Sequence, residues 1–523
     1  MNFASVEFIC FLVLLTALYY LVPKRAQWGV LLAGSVVFYA FAGVACCLFL
    51  LAVIAVSYLA VAVMGKRQRA CASWLDANRE LPKEQRKAYK NKNKKGNLII
   101  VCIGIAVLDV ALVYAKFISG YFGFKITESG FGFGAYALEI MGISYYTFIA
   151  IGYMLDVYRE KAPVQRNFAK HALFVGFFPQ LVMGPISKYS DVGEQYFTPH
   201  AFEGKNLYCG AVRVAWGFFK KLVVADAIAP AVGAIVAQQR SGVYFILLCL
   251  FYSIRIYGDF TGGIDIVLGA AEMLGIKLPE NFNRPFSSKS TAEYWRRWHI
   301  TMGAWFTNYI FYPLSVTKGM QKLSKWSRAH LGTAIGKRLP VYITTIVTWL
   351  FTGLWHGIAW NFVVWAMLNC LVLLVSQELE PLYTKFRTKF PRLHASAPYQ
   401  TFMAVRTFCL MALIRVLDCY MNVPLTFQKF FSVFTTPNWG SLFDGGLGSL
   451  GVSTASFCVI GVGILIMWGV SQLGKDRPLR EKLWEKPWLG SLALAAAVFA
   501  VLVFGTYGLG YDASAFIYGG TFN

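Results

Sequence analysis

One long apolar segment of the chain contains a single ionisable side chain. The segment runs from Thr345 to Trp365 (TIVTWLFTGLWHGIAWNFVVW) and holds His356 between Gly353 and Gly357. An ionisable residue inside an apolar membrane segment usually serves function. A neutral imidazole can remove a proton from a hydroxyl as that hydroxyl attacks an acyl carbonyl, and burial favours the neutral form. The alternative is a structural histidine that is hydrogen-bonded to a neighbouring carbonyl.

Three threonines precede this histidine at helical spacing. Thr345, Thr348 and Thr352 lie three or four residues apart, and His356 follows four residues after the last of them. Residues at this spacing share one face of a helix. The resulting polar stripe is consistent with hydrogen bonds between helices, and equally with the wall of a polar tunnel that ends at His356.

A second histidine lies in a different setting. His299 follows Arg296, Arg297 and Trp298 in the stretch YWRRWHIT. In this cationic and aromatic surrounding, His299 can bind a phosphorylated or thioester donor, or it can orient an acceptor. The alternative is a helix that anchors at the membrane interface, with arginines whose charged ends extend into water.

The residues around His299 also predict its secondary structure. Ser290 and Glu293 match a capping box, in which the serine caps the helix and the glutamate reaches back. The pattern predicts one helix from Tyr294 to about Tyr312, ended by Pro313.

The motifs of other chemistries are absent from the sequence. We find no G-x-S-x-G nucleophile elbow, no H-E-x-x-H zinc motif and no Walker A run. The 11 cysteines are an odd number without metal-ligand spacing, so we expect neither a structural metal nor a disulfide framework. Direct transfer between two bound substrates is simpler than an acyl-enzyme serine.

The elements that must position these residues are membrane helices. The chain of 523 residues is 57% hydrophobic and only 14% charged, and several apolar runs approach the ~20 residues that cross a bilayer. We therefore predict an all-α, polytopic integral membrane protein that forms a single domain over residues 1–523, with a catalytic region at 279–365. Two stretches, 174–185 and 257–265, contain helix breakers or glycines with acids, and we expect irregular backbone covered by protein there. Besides the segment at 345–365, the apolar runs lie at roughly 3–22, 28–43, 45–64, 97–115, 133–155, 206–236, 241–258, 360–377, 400–420, 452–474 and 488–510.

The placement of the charge of +23 argues against nucleic acid as a partner. The densest block is the predicted basic loop 65–96, which has eleven basic and three acidic residues, a net charge of +8. Basic loops between spans face the cytoplasm. Three predicted spans precede this loop, so the N-terminus is expected on the opposite, extracytoplasmic side. We expect the block to act as a topology signal and to meet anionic lipid head groups.

Several of these stretches together resemble the membrane-bound O-acyltransferase family. The resemblance is closest to the members that acetylate bacterial polysaccharides, such as the membrane subunit of alginate O-acetylation. It extends to about Trp365, and because Leu413 to Asp418 (LIRVLD) departs from the aromatic-arginine stretch of the family, no site residue is assigned after Asn369. The matching stretches are NRPF (283–286), YWRRWHIT (294–301), YIFYPL (309–314), GLWHG (353–357) with Trp360-Asn361, GISYYTF (142–148), FPQ (178–180), GPI (184–186) and YGDFTGGID (257–265).

This resemblance implies a fold and a site. It implies about eleven transmembrane helices with re-entrant pieces around a central tunnel in the cell membrane. It implies that His356 is the catalytic histidine and His299 the second histidine of the active site. We expect the remaining candidates to bind substrate: Trp355 and Asn361 in the pocket, Arg296 and Arg297 on the path of the donor, and Trp298 and Asn283 elsewhere in the substrate site.

The resemblance further implies the substrates and partners. The donor is a cytoplasmic thioester, acetyl-CoA or an acyl-carrier thioester, and no cofactor is permanently bound. An extracytoplasmic partner protein completes transfer of an acyl group, most simply acetyl, to hydroxyls of a polysaccharide or cell-wall polymer. The alternatives are D-alanyl transfer to teichoic acid from a carrier protein, a transporter of lipid-linked sugars, and a non-catalytic export scaffold.

Overall fold

The computed structural model describes residues 2–114, 141–508 and 511, and in these ranges the regular structure is helical. Between residues 2 and 114 and from 141 to 508, the one strand-like feature is an isolated antiparallel bridge between Phe282 and Trp298. The predicted all-α class is therefore confirmed. Residues 115–140, which include the whole connection between the fourth and fifth predicted spans and the start of the fifth, lie outside the described ranges.

Six of the described helices are long and apolar enough to cross a membrane, and Val6–Leu21 is a shorter apolar helix. A polytopic membrane protein is confirmed, whereas the total of about eleven spans and the central tunnel stay predictions. The six helices are Val44–Ala77, Lys83–Val113, Val243–Met273, Trp360–Glu378, Thr454–Leu473 and Pro487–Phe504. The other main helices are Gln27–Ala40, Ile143–Tyr158, Phe168–Gly176, Gly204–Phe218, Asp226–Ala237, Thr291–Arg297, Ile300–Phe306, Lys318–His330, Gly332–His356, Glu380–Lys389, Ala397–Arg415 and Val423–Thr435.

The contacts between residues group the chain into two compact units. Of the described residues, the first contains 2–114, 141–215 and 263–279, and the second contains 216–262, 280–508 and 511. Both candidate histidines belong to the second unit.

The predicted basic loop 65–96, which connects two predicted spans, is helical for most of its length, and its cytoplasmic placement stays a prediction. Helix Val44–Ala77 continues through its first part, and after a short turn helix Lys83–Val113 returns. Lysine, arginine, glutamine and glutamate are good helix formers, which explains why a charged segment need not be irregular. The rings of Trp74 and Tyr89 stack at 3.9 Å between the two helices.

The irregular backbone predicted at 174–185 is confirmed. Helix Phe168–Gly176 ends before the single turn Phe178–Leu181, and the backbone N–H of Phe178 donates to Ser35 Oγ at 3.1 Å. Gln180 Nε2 donates to the Pro185 carbonyl at 3.0 Å. Buried side chains thus bind polar groups of the broken backbone, as a membrane environment requires.

The irregular backbone predicted at 257–265 is wrong, because these residues lie inside the continuous helix Val243–Met273. Its glycines serve close packing: a Cβ on Gly262 would lie 2.8 Å from the Gly217 carbonyl oxygen, and one on Gly258 would lie 2.9 Å from that of Lys220. Its acids are paired with cations and need no break in the helix to reach water.

Candidate active site

His299 lies at a break between two short helices, and the predicted continuous helix from Tyr294 to Tyr312 is wrong at this point. Helix Thr291–Arg297 ends before it and Ile300–Phe306 begins after it, while His299 itself adopts a left-handed conformation with φ 48° and ψ 52°. Such a conformation is uncommon for a residue with a side chain. Segment 281–283 lies alongside and accounts for the break, because Ile300 N donates to the Asn281 carbonyl and Asn283 N to the Arg297 carbonyl, each at 2.9 Å.

The first of these helices begins as the sequence predicted. Ser290 Oγ accepts from Glu293 N at 3.2 Å, and the Glu293 carboxylate reaches back to the backbone N–H of Lys289 at 2.8 Å. The same carboxylate forms an ion pair with Arg297 at 2.6 Å, one turn later. Pro313 does not end the helical segment that follows His299. Helix Ile300–Phe306 continues through the π-helical turn Thr307–Phe311 into Tyr312–Ser315.

A hydrogen-bond network assigns the protonation of the His299 ring. Asn281 Oδ1 lies 3.2 Å from His299 Nδ1, and it also accepts from the backbone N–H of Thr301 at 3.1 Å. Since an N–H must donate, the atom at this position is an acceptor, and His299 Nδ1 therefore carries a hydrogen. In the neutral ring the lone pair is then on Nε2, the nitrogen that can accept a proton.

The surroundings of His299 favour this neutral ring. The residue is 1% exposed, and the Phe260 ring meets the imidazole edge to face at 4.9 Å. His299 lies outside the six candidate spans, and burial, with a smaller contribution from the positive charge of Arg415, lowers its pKa below the ordinary value. The imidazole is therefore neutral at neutral pH, and its Nε2 can accept a hydrogen bond.

His356 is the last residue of helix Gly332–His356 and is 7% exposed. Its ring packs against Trp365 at 5.0 Å and stacks with Phe362 at 6.1 Å. The two flanking glycines permit this packing, because a Cβ on Gly353 would lie 2.8 Å from the Phe362 carbonyl oxygen and one on Gly357 would lie 2.5 Å from the Phe362 ring. The Gly-containing sequence around His356 thus allows helix Trp360–Glu378 to approach.

Trp355 connects the two histidines. Its indole lies 6.2 Å from the His299 ring and 4.8 Å from the His356 ring, in edge-to-face geometry with both. The structure therefore brings His299, Trp355 and His356 together from two segments that are about 55 positions apart in the sequence. This is the main feature of the site.

Two more of the candidate substrate-binding residues are buried near these three. Asn361 is 1% exposed, lies next to Phe362 in the sequence, and donates from Nδ2 to Met421 Sδ at 3.2 Å. Trp298 is 2% exposed and stacks with Tyr294 at 5.7 Å.

The other three candidates have more contact with solvent. The side chains of Arg296 and Asn283 are exposed, and Arg297 is half-buried in its ion pair with Glu293. The structure does not place Arg296 and Asn283 in the aromatic surroundings of the histidines, and their roles in substrate binding stay predictions.

The sequence analysis missed two residues of the site. Asn281 orients His299, but a polar residue in a turn-rich loop gives no distinctive signal. Arg415 is 4% exposed, and its guanidinium lies 4.5 Å from the centre of the Trp298 ring and 3.4 Å from the Tyr294 hydroxyl. A buried arginine in the apolar run 400–420 was a detectable signal, because a charge there is costly.

The threonine stripe before His356 is satisfied along its own helix. The hydroxyls of Thr345, Thr348 and Thr352 each donate to the carbonyl four residues earlier, at 2.7 to 2.9 Å. Thr352 is buried and the other two are half-buried. These bonds leave only the acceptor lone pairs of the hydroxyls available to a substrate or a neighbouring helix.

Comparisons with known proteins agree with this geometry. The model of the membrane-bound O-acyltransferase family matches residues 159–421, half of the chain, and these residues include both histidines and Arg415. A probable alginate O-acetylase of Azotobacter vinelandii is 31% identical over 70% of this chain and 66% of its own length. That of Pseudomonas aeruginosa is 28% identical over 92% of this chain and 84% of its own length. A peptidoglycan O-acetyltransferase of Helicobacter pylori is 31% identical over 49% of this chain and 50% of its own length.

The alignment with the Azotobacter protein spans slightly less than two thirds of that relative. The family match, the helical membrane fold and the paired buried histidines nevertheless agree on one assignment and confirm the predicted enzyme class. The chain belongs to the membrane-bound O-acyltransferase family.

Proposed function

We propose that this protein transfers an acyl group, most simply acetyl, from a thioester donor to hydroxyl groups of an extracytoplasmic polysaccharide or cell-wall polymer. The observation that carries this proposal is that the rings of His299 and His356 both pack against Trp355, while Asn281 Oδ1 lies within hydrogen-bond distance of His299 Nδ1. The relatives named for alginate or peptidoglycan O-acetylation support a polymer hydroxyl as the acceptor.

The chemistry is a single displacement at the thioester carbonyl. The accepting hydroxyl oxygen bonds to the carbonyl carbon while its proton passes to the imidazole of His356. The carbon–sulfur bond then breaks, and the thiolate leaves and takes up a proton. General base catalysis of this kind is worth about 10²–10⁴ in rate.

His299 has a supporting role in this proposal. Its Nδ1–H is bound to Asn281, so that Nε2 can accept a hydrogen bond or a proton from a substrate on the donor side. The donor, acetyl-CoA, enters from the cytoplasmic side of the cell membrane past Arg296 and Arg297, and an extracytoplasmic partner completes the transfer. In this orientation the N-terminus is extracytoplasmic.

The test is transfer of labelled acetyl groups from acetyl-CoA to polymer in membranes that contain the wild type, His356→Ala, His299→Ala or His330→Ala. His330 is an exposed histidine and provides the matched control. We expect label from the wild type and His330→Ala, and none from His356→Ala, at equal protein levels. Equal transfer by His356→Ala contradicts the assignment of the base. If intact cells acylate their polymer while acetyl-CoA donates nothing in membranes, either a carrier-protein thioester replaces coenzyme A as the donor or the extracytoplasmic partner is missing from the membranes, and adding back the extracytoplasmic fraction distinguishes the two.

A further inference from the structure

Three consecutive residues of helix Val243–Met273 lie behind the candidate active site. Asp259, Phe260 and Thr261 are 2%, 0% and 3% exposed. Phe260 provides the ring that meets the His299 imidazole edge to face, at 4.9 Å and an interplanar angle of 82°. The position of this ring therefore limits where the imidazole can lie.

Buried lysines hold the residues on both sides of Phe260. Lys221 Nζ lies 2.6 Å from Asp259 Oδ1 and also 2.8 Å from Asp226 Oδ1. Lys220 Nζ donates to Thr261 Oγ1 at 2.9 Å. The two lysines are adjacent in the sequence and are 5% or less exposed.

Both lysines belong to the π-helical turn Phe219–Ala225. Turns of this type are rare and occur frequently at functional sites. The backbones are also close here, because a Cβ on Gly262 would lie 3.1 Å from Lys221 N. The short distance between the backbones lets two neighbouring lysines reach two positions of one helix turn.

Packing alone does not account for the buried charges of this cluster, because burying them costs free energy. Removing an ammonium and a carboxylate from water carries a penalty that their attraction only partly offsets, and an apolar pair of similar volume often stabilises a protein as well. The feature that an apolar pair would not supply is directional contact with fixed distances at Asp259 and Thr261.

We propose that Lys221 and Lys220 are positioning residues, which fix Phe260 against His299 by binding Asp259 and Thr261. The kinetic consequence of this inference rests on the proposed acyltransferase function, whereas the positioning itself does not. Loss of either contact lets the Phe260 ring move, and the His299 imidazole then has more than one accessible orientation.

The same helix offers a matched control. Arg213 Nε lies 2.9 Å from Asp265 Oδ1 in another mostly buried ion pair, with side chains 9% and 16% exposed. Asp265 lies between Ile264 and Ile266 in the sequence. Asp265→Asn therefore removes a comparable carboxylate charge from this helix at a position that is not next to Phe260.

The experiment compares Asp259→Asn and Asp265→Asn in detergent-purified full-length protein. The probe is diethyl pyrocarbonate, which modifies accessible histidines, and modification of His299 is quantified by peptide mass spectrometry. We expect His299 modification to increase severalfold in Asp259→Asn and to stay at the wild-type level in Asp265→Asn, even where both variants melt at similarly reduced temperatures. Thr261→Val, which removes only a hydroxyl, is expected to act in the same direction and replaces Asp259→Asn if that variant does not fold.

Acyl transfer is measured separately on membranes that contain the same variants together with the extracytoplasmic partner, and kcat is expected to fall in Asp259→Asn while KM for the donor changes little. The positioning role would be overturned if His299 were modified at the wild-type level in both Asp259→Asn and Thr261→Val. It would also be overturned if modification increased as much in Asp265→Asn as in Asp259→Asn. If the wild type transfers no acyl group, the proposed function fails, and the modification data still decide whether the lysines position His299.

Discussion

Asn281 Oδ1 accepts from both His299 Nδ1–H and the backbone N–H of Thr301, at 3.2 and 3.1 Å, so one buried amide oxygen determines which nitrogen of His299 is basic. The His299 ring is connected through the indole of Trp355 to His356. The consequences of this arrangement can be measured.

Replacement of Asn281 tests the orientation of His299. Asn281→Ala removes the acceptor for Nδ1–H, and we expect kcat for acyl transfer to fall by about 10²-fold, the low end of the range for general acid–base catalysis. Asn281→Asp keeps an acceptor oxygen and is expected to retain more activity than Asn281→Ala. Steady-state rates on membranes with equal protein content measure both, and equal rates in Asn281→Ala and wild type would show that this orientation is not needed.

Removal of Trp355 tests whether the indole holds both imidazoles. Each aromatic contact contributes about 0.5–1.5 kcal/mol, so loss of two contacts in Trp355→Leu should lower kcat about 10- to 100-fold. Trp355→Phe keeps a ring and should lose less. Trp468→Leu, at a position 65% exposed, provides the control and should transfer at the wild-type rate. A fall of similar size in the control would indicate a general effect of tryptophan loss.

After burial, Arg415 is the second cause of the lowered pKa of His299. Its positive charge adds to the effect of burial and lowers the pKa of His299. A lowered pKa keeps the imidazole neutral as the pH falls, so Arg415→Met should raise this pKa and move the acid limb of kcat/KM to higher pH. Burial is the larger cause and remains.

Arg415→Lys keeps the charge and should leave the acid limb in place, although it loses the planar contact with Trp298. Because the pKa of His299 is lowered to about 3, the profiles that compare the three proteins extend from pH 2.5 to 8. Identical acid limbs for Arg415→Met and wild type would contradict an electrostatic effect of Arg415 on His299.

Gly262 should be intolerant of a methyl group. The added Cβ would lie 2.8 Å from the Gly217 carbonyl oxygen, and overpacking of this kind costs about 1–3 kcal/mol. Gly461 is also helical, but no atom lies within 4 Å of a Cβ placed there. Melting temperatures in detergent should therefore fall for Gly262→Ala and stay or rise for Gly461→Ala. Equal melting temperatures would show that helices Gly204–Phe218 and Val243–Met273 can separate at low cost.

Features that depend on residues near one another in the sequence could be predicted from it. The length of an apolar run depends only on neighbouring residues, and such runs predicted the helical membrane fold. His356 was recognisable because one ionisable group in a long apolar run is unusual. The helix cap at Ser290 was likewise predictable from a local pattern.

Features that depend on distant segments were not predictable in this way. The break at His299 depends on backbone contacts with residues 281–283, and the continuity of the helix through 257–265 depends on cations in a preceding segment that pair with its acids. Local composition at 257–265 resembles a loop, since it has three glycines and two acids. Arg415 lies in a stretch that departs from the family pattern, so the motif does not identify it. Only its charge within an apolar run indicates that it is buried.

Two of the long described helices, which are consecutive in the chain, have a practical use in imaging. Val44–Ala77 and Lys83–Val113 have 34 and 31 residues, which at 1.5 Å per residue gives lengths of roughly 50 Å against a hydrocarbon core of about 30 Å. Their charged ends, stacked through Trp74 and Tyr89, therefore extend beyond the lipid as an ordered hairpin. Membrane proteins without soluble domains are difficult to align as single particles in electron cryomicroscopy. This hairpin offers a rigid epitope for an antibody fragment, or a site at residues 78–82 for a helical fusion, that would serve as a fiducial mark.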